Sequence, residues 1–139
     1  ESKRQQNQTA SALDAGRAET VLVVEDDHAI RALVERALAK AGYRVLAAES
    51  SAEALAVAEQ HDGTIHLLFT DVVMPEGNGP ELAQQLLKLR PTMRVLFTSG
   101  YADDKVFEAT GTPKAAQFLA KPYSFTGLAR KVREALDAK

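Results

Sequence analysis

The sequence predicts an α/β fold: a five-stranded parallel sheet of order 2-1-3-4-5 with helices on both faces. Three observations carry that expectation. Short apolar runs rich in β-branched residues recur without polar alternation, as strands buried on both faces require. Longer segments with apolar residues at helical spacing lie between them. Five such strand–helix units follow in order, which favours parallel pairing through crossover helices, and five strands suit 2-1-3-4-5 better than the other common doubly wound order. A chain of 139 residues, 45% of them apolar, is enough for one domain with a real core.

Residues 1–18 (ESKRQQNQTASALDAGRA) contain one large aliphatic residue, Leu13. Such a stretch buries too little surface to offset its ordering entropy, so a disordered tail or linker is expected there, native or appended. The domain proper is assigned to 19–139. Residues 21–24 (VLVV) form the first predicted strand. Ile30, Leu33, Val34, Ala37, Leu38 and Ala41 then mark one apolar helix face, and Gly42 stands where a C-terminal cap glycine belongs. Residues 43–48 read as the second strand. Ser50 and Glu53 form a capping-box pattern for a helix to about residue 60, with an Ala-rich stripe of Ala52, Leu55, Ala56 and Val57.

The third strand covers 66–70 and ends at Asp71. A loop is expected at 74–79, followed by Pro80 at the first position of a helix to about 89, which Pro91 closes. Residues 94–98 give the fourth strand, 103–110 a short helix, and 117–120 the fifth strand. Ser124 caps a last helix whose apolar face is Phe125, Leu128, Ala129, Val132 and Leu136.

Composition excludes several classes of function. A net charge of −2 leaves no global basic footprint for nucleic acid. No apolar run approaches the roughly 18 residues of a membrane span, so no membrane contact is expected. The absence of cysteine removes disulfides, thiolate metal sites and thiol nucleophiles. No targeting pattern is visible, and a cytoplasmic location fits.

In open parallel sheets, ligands sit beyond the carboxyl ends of the strands. There the chain delivers Glu25, Asp26 and Asp27 after the first strand, Asp71 at the end of the third, Thr98 and Ser99 at the fourth, and Lys121 after the fifth. Clustered carboxylates repel one another, so they call for a hard cation or shifted protonation. Mg²⁺ takes oxygen ligands and is readily completed by a phosphoryl oxygen. A lysine opposite the acids supplies charge for a phosphate. Each residue alone has a plainer reading: Asp27 as a helix cap, Lys121 as a solvated lysine. Their joint placement on one edge of the sheet favours chemistry.

Five ordered motifs make the pattern specific: Val-Val-Glu-Asp-Asp at 23–27, Thr-Asp-Val-Val-Met-Pro at 70–75, Gly79, Thr-Ser-Gly at 98–100, and Lys121-Pro122. Across residues 20–137 the chain resembles the receiver domain of two-component signalling, found in response regulators and hybrid histidine kinases. The resemblance implies the flavodoxin-like (βα)5 fold and a phospho-aspartate. Asp71 would take a phosphoryl group from a histidine kinase or a histidine phosphotransfer protein. Asp26 would ligate Mg²⁺ (or Mn²⁺) directly and Glu25 through water, with Asp71 and the main-chain carbonyl of Val73 as further ligands. Lys121 would contact the phosphoryl group, and the Lys121–Pro122 peptide would be cis.

By the same resemblance Ser99 is the switch hydroxyl, because a small residue follows it, while Thr98 fills a position that is usually aliphatic. Phe118 matches the switch aromatic, a plain core phenylalanine being the other reading. Val73 and Tyr101 flank the site without an acid or amide to orient water, which implies a long-lived phosphoryl group. The loop Met-Pro-Glu-Gly-Asn-Gly departs from the family, where glycine often follows the proline directly.

Rival classes fit less well. A haloacid dehalogenase-type phosphatase needs a second Asp at the position of Val73. A flavin or nucleotide binder needs a Gly- or Ser/Thr-rich cradle after the first strand, where three acids stand instead. As an isolated domain the chain is expected to catalyse only its own phosphorylation and dephosphorylation. The context implied is the C-terminal receiver of a hybrid histidine kinase. A stand-alone regulator is the alternative, and a non-phosphorylated interaction module a weaker one. A homodimer through the fourth helix, fifth strand and fifth helix is a further implication of the resemblance.

Overall fold

The computed structural model describes residues 19–74, 77–99, 117–121 and 123–137, apart from the side chains of Met74 and Ser99. The tail read at 1–18, the helix read at 103–110, Tyr101 and Pro122 lie outside the described residues, and with them the cis peptide and the dimer surface of that helix.

Five strands form one parallel sheet: β1 (Thr20–Val24), β2 (Arg44–Ala48), β3 (Leu67–Asp71), β6 (Arg94–Ser99) and β7 (Gln117–Ala120). Their order is β2-β1-β3-β6-β7, the predicted 2-1-3-4-5. Four helices are described: α1 (His28–Lys40), α2 (Ser51–Gln60), α3 (Gly79–Leu89) and α4 (Phe125–Asp137). The stretch read as a loop at 74–79 holds a small antiparallel ladder instead, with β4 (Val73–Met74) paired to β5 (Gly77–Asn78). Two-residue strands leave no periodic signal in a sequence.

Residue alternation along the strands sorts the core into two layers. Leu22, Val24, Leu68, Val95 and Phe97 pack with Ala54, Ala58, Leu82 and Leu86 from α2 and α3. Val21, Val23, Leu67, Phe69 and Leu96 face the other way, against Val34 and Leu38 of α1 and Leu128, Val132 and Ala135 of α4. Burying each of these large side chains contributes roughly 1.5–3 kcal/mol.

Most helix ends follow the sequence. Asp27 caps α1 by accepting from the Ile30 N–H at 3.0 Å, and Gly42 follows the helix with φ +102°. Ser50 accepts from the Glu53 N–H at 3.1 Å, and Ser124 from the Gly127 N–H at 2.9 Å. Glu53 completes a variant of the capping box, reaching the N–H of Glu49 rather than that of Ser50. Pro80 is the second residue of α3, because Gly79 begins the helix under an Asn78 cap. The buried stripe of α2 is Ala54 and Ala58, while Ala52 and Ala56 are exposed; small residues there let the helix lie close to the sheet. Ile30, Leu33 and Phe125, read as core-facing, are substantially exposed. They line an apolar groove of about 510 Å³ between α1 and the start of α4, with Val34, Lys121 and Tyr123.

Candidate functional site

Strand register brings the predicted residues level. Val24 pairs with Thr70, so Glu25 follows β1 beside Asp71, the last residue of β3. Asp71 in turn pairs with Thr98, and Ser99 pairs with Ala120, which sets Lys121 one step beyond β7. Glu25, Asp26 and Asp71 each offer a carboxylate oxygen within 4.8 Å of the others. Glu25 and Asp71 are buried and Asp26 is exposed, so the cluster opens to solvent on one side. Lys121 Nζ lies 2.5 Å from Asp71 Oδ1.

Local structure holds the acids. The Glu25 N–H donates to the Ala48 carbonyl at 3.1 Å, and the Glu25 carboxylate accepts from the Asp27 N–H at 3.0 Å. Arg31, one turn into α1, donates to the Glu25 carbonyl at 2.8 Å and stands 2.9 Å from His28 Nδ1. Beneath Asp71, the Val72 N–H donates to the Thr98 carbonyl at 3.1 Å and the Gly79 N–H to the Val72 carbonyl at 2.7 Å. The start of α3 is thus drawn onto the main chain of Asp71. A Cβ at Gly79 would overlap the Asp71 carbonyl oxygen and stand 3.2 Å from the Phe97 ring. Gly79 is needed for close approach, a role the sequence shows only as a glycine after a turn.

The electrostatics match the geometry. Three carboxylates and one ammonium leave two formal negative charges in a half-buried pocket. Burial pushes the Glu25 carboxyl up to about 7, helped by the Asp71 charge and by contacts with Asp71 and Asp26, and opposed by the Asp27 N–H. Tyr123 is pushed up to about 12, first by burial and then by the negative charges of Glu25 and Asp71. Its ring packs edge-on to Phe69, with centroids 6.1 Å apart. Tyr123 and Arg31 therefore belong to the surroundings of the site, and sequence reasoning missed both. The only signal for Arg31 was its place one turn after the acids.

Val73 starts the β4–β5 ladder, its main chain fixed by pairing with Asn78 and its side chain 52% exposed. Phe118 is half-exposed and stacks at a tilt on its register partner Phe97, with centroids 5.7 Å apart. Strand alternation puts this pair on the α2–α3 side of the sheet, opposite the layer that Phe69 and Leu96 share. Thr98 is 1% exposed, and its hydroxyl finds no hydrogen-bond partner among the described residues. A buried hydroxyl left unpaired costs roughly 1–3 kcal/mol.

An acidic pocket at the carboxyl ends of β1 and β3, with a lysine reaching in from just beyond β7, sets the chain in a class of parallel α/β domains. A family model for the response regulator receiver domain matches residues 21–133. The chain belongs to this receiver family of two-component signalling. It is 40% identical over 126 residues to the sensor kinase CckA of Brucella abortus, covering 91% of this chain but 13% of that kinase. It is 32% identical over 118 residues to the response regulator receiver protein CpdR of the same organism, covering 85% of this chain and 97% of CpdR. Among solved structures, the receiver domain of the hybrid histidine kinase CckA is similar at 36% identity and a TM-score of 0.69, over 85% of this chain and 99% of that one.

Proposed function

We propose that this receiver domain takes a phosphoryl group from a phosphohistidine onto Asp71. The observation that carries this reading is the Glu25–Asp26–Asp71 cluster with Lys121 on Asp71 Oδ1. In the transfer, the P–N bond of the phosphohistidine breaks, its electron pair returns to the imidazole, and an Asp71 oxygen forms the new P–O bond. Lys121 follows the phosphoryl oxygens and offsets their charge. The carboxylate oxygens and their excess of negative charge fit a divalent cation. Asp26, Asp71 and the Val73 carbonyl would hold Mg²⁺ or Mn²⁺, with Glu25 acting through water; the bound ion would supply charge neutralisation at the transferring group.

The phosphoryl group adds about two negative charges. Ser99 and Phe118 answer it by shifting the domain between two packings around β6 and β7. The half-exposed Phe118 against Phe97 supports a side chain with somewhere to move. Val73 and Tyr101 shield the phosphoryl group and lengthen its life.

The donor is a histidine kinase or a histidine phosphotransfer protein. The likeness to the CckA receiver supports a place in a hybrid histidine kinase on the cytoplasmic side, and no helix among the described residues is long and apolar enough to cross a membrane. The match across 97% of CpdR supports the second reading, a stand-alone regulator.

Intact-mass measurement tests the proposal. Wild-type protein incubated with a small phosphodonor and Mg²⁺ should gain one phosphoryl group, with no gain without the metal or in Asp71→Asn. A gain that persists in Asp71→Asn would overturn Asp71 as the acceptor.

A further inference from the structure

Thr98 is a β-branched residue in the strand next to Asp71, and valine would fill the same space without burying a hydroxyl. Its backbone is already engaged, since its carbonyl accepts from the Val72 N–H at 3.1 Å. Its side chain is nine-tenths and more buried, and Oγ1 makes no hydrogen bond among the described residues. Asp71 and Thr98 are register partners on adjacent parallel strands. Such strands lie about 4.8 Å apart, and paired residues project to the same face. The neighbouring pairs obey this: Phe69 and Leu96 share one core layer, while Phe97 and Phe118 touch on the other side. A donor with no partner among the described residues therefore stands on the same face of the sheet as the Asp71 carboxyl group, one strand away.

We propose that Thr98 is a further catalytic hydroxyl, which donates to the Asp71 carboxyl oxygen as the phosphoryl group departs. This rests on the reading of Asp71 as the acceptor. In the resting protein Lys121 occupies Asp71 Oδ1. Once Lys121 follows the phosphoryl group, the carboxyl group loses that partner and the Thr98 hydroxyl turns onto it. During hydrolysis water attacks phosphorus, the P–O bond to Asp71 breaks, and its electron pair returns to the carboxylate while the water proton passes to solvent. The transition state is loose, so negative charge has largely developed on the leaving oxygen, where a hydroxyl donor helps most. Loading shares this feature: the Asp71 oxygen is barely bonded and still carboxylate-like while Lys121 has moved to the phosphoryl group, so the same donor speeds loading as well.

The experiment loads wild type, Thr98→Val and Thr98→Ser with a small phosphodonor and Mg²⁺, removes the donor, and follows decay of the phosphoryl mass. Thr98→Val should lose the group about tenfold more slowly, the effect of one net hydrogen bond to a developing charge. It should also load more slowly than wild type, and Thr98→Ser should restore most of both rates. A Thr98→Val decay within twofold of wild type, even with a raised Tm, would show the hydroxyl to be only a packing flaw and overturn the proposal. So would a Thr98→Ser as slow as the valine variant, or a Thr98→Val that fails to load. No phosphorylation of wild type under any of these conditions would remove the acceptor reading first, and this inference with it.

Discussion

At the amino ends of the strands, Arg133 of α4 meets Glu19 through two parallel hydrogen bonds of 3.0 and 2.9 Å, and Asp137 through two more of 3.2 and 2.8 Å. Its guanidinium also lies 6.0 Å from the Tyr43 ring centroid. At the carboxyl ends, Glu25, Asp26 and Asp71 crowd together around Lys121. The protonation of the two clusters moves accordingly. Hydrogen bonds donated to the Glu19 and Asp137 carboxylates deepen the preference of Arg133 for its charged form. Burial and neighbouring negative charge push Glu25 toward its neutral form. One cluster gives every charge an opposite partner and fastens the end of α4 to the entry of β1. The other keeps unmatched charge where a cation and a phosphoryl group would complete it. Satisfied polar groups mark architecture here, and unsatisfied ones mark chemistry.

The contrast breaks most severely at Gly79, where the acid cluster depends on backbone shape. Gly79→Ala forces a Cβ into the Asp71 carbonyl and against Phe97, and should cost about 3 kcal/mol, the upper range for overpacking. Chemical denaturation gives the loss of stability. The same variant should also load phosphoryl groups poorly, because α3 can relieve the overlap only by shifting the Asp71–Val72 peptide. An effect below about 0.5 kcal/mol, the range of surface substitutions, would show that α3 is not pressed onto the site.

The matched cluster should respond more mildly. Arg133→Met removes four hydrogen bonds to carboxylates and the guanidinium beside Tyr43, but keeps an unbranched apolar side chain. The groups are partly exposed and solvent screens them, so a loss of about 1 kcal/mol is expected, with the phosphoryl-loading rate unchanged. A large drop in loading would mean that the two ends of the sheet are coupled, and the division between architecture and chemistry would fail.

The sequence carried the sheet order and the acid cluster because both depend on repeated, local signals. Five apolar runs, the glutamate and aspartates that follow the first of them, and Lys121 after the last are legible without knowing a single contact. What escaped depends on distance across the fold. Ile30, Leu33 and Phe125 keep helical periodicity yet line an open groove, because the apolar stripe is wider than the surface that covers it. The β4–β5 ladder is too short to carry a period. Arg31 and Tyr123 reach the site only through the α1 and α4 packing that folding creates. Thr98 could be named as a candidate but not distinguished physically from Ser99, since strand parity is known only once register is fixed.

A last effect, no larger than that at Arg133 and confined to one pH range, sharpens the contrast. Glu25 titrates near 7 in the folded protein against an ordinary value of 4.5. Between those values the native state holds a proton that the unfolded chain has released, so without metal the stability from this group falls as pH rises through the window. Below about pH 4.5 both states are protonated and the cost vanishes. Glu25→Gln keeps an oxygen to accept from the Asp27 N–H but cannot ionise. Without metal it should match wild type near pH 4.5 and exceed it at pH 8 by about 1 kcal/mol after solvent screening, or roughly 3 °C in Tm. Mg²⁺ held by the ionised acid cluster of the native wild type, as proposed, should shrink that advantage. Thermal melts of both proteins at the two pH values, with and without Mg²⁺, decide the matter. A constant offset at both pH values would trace the gain to packing, and the acid cluster would then be as settled as the Arg133 cluster at the opposite end of the sheet.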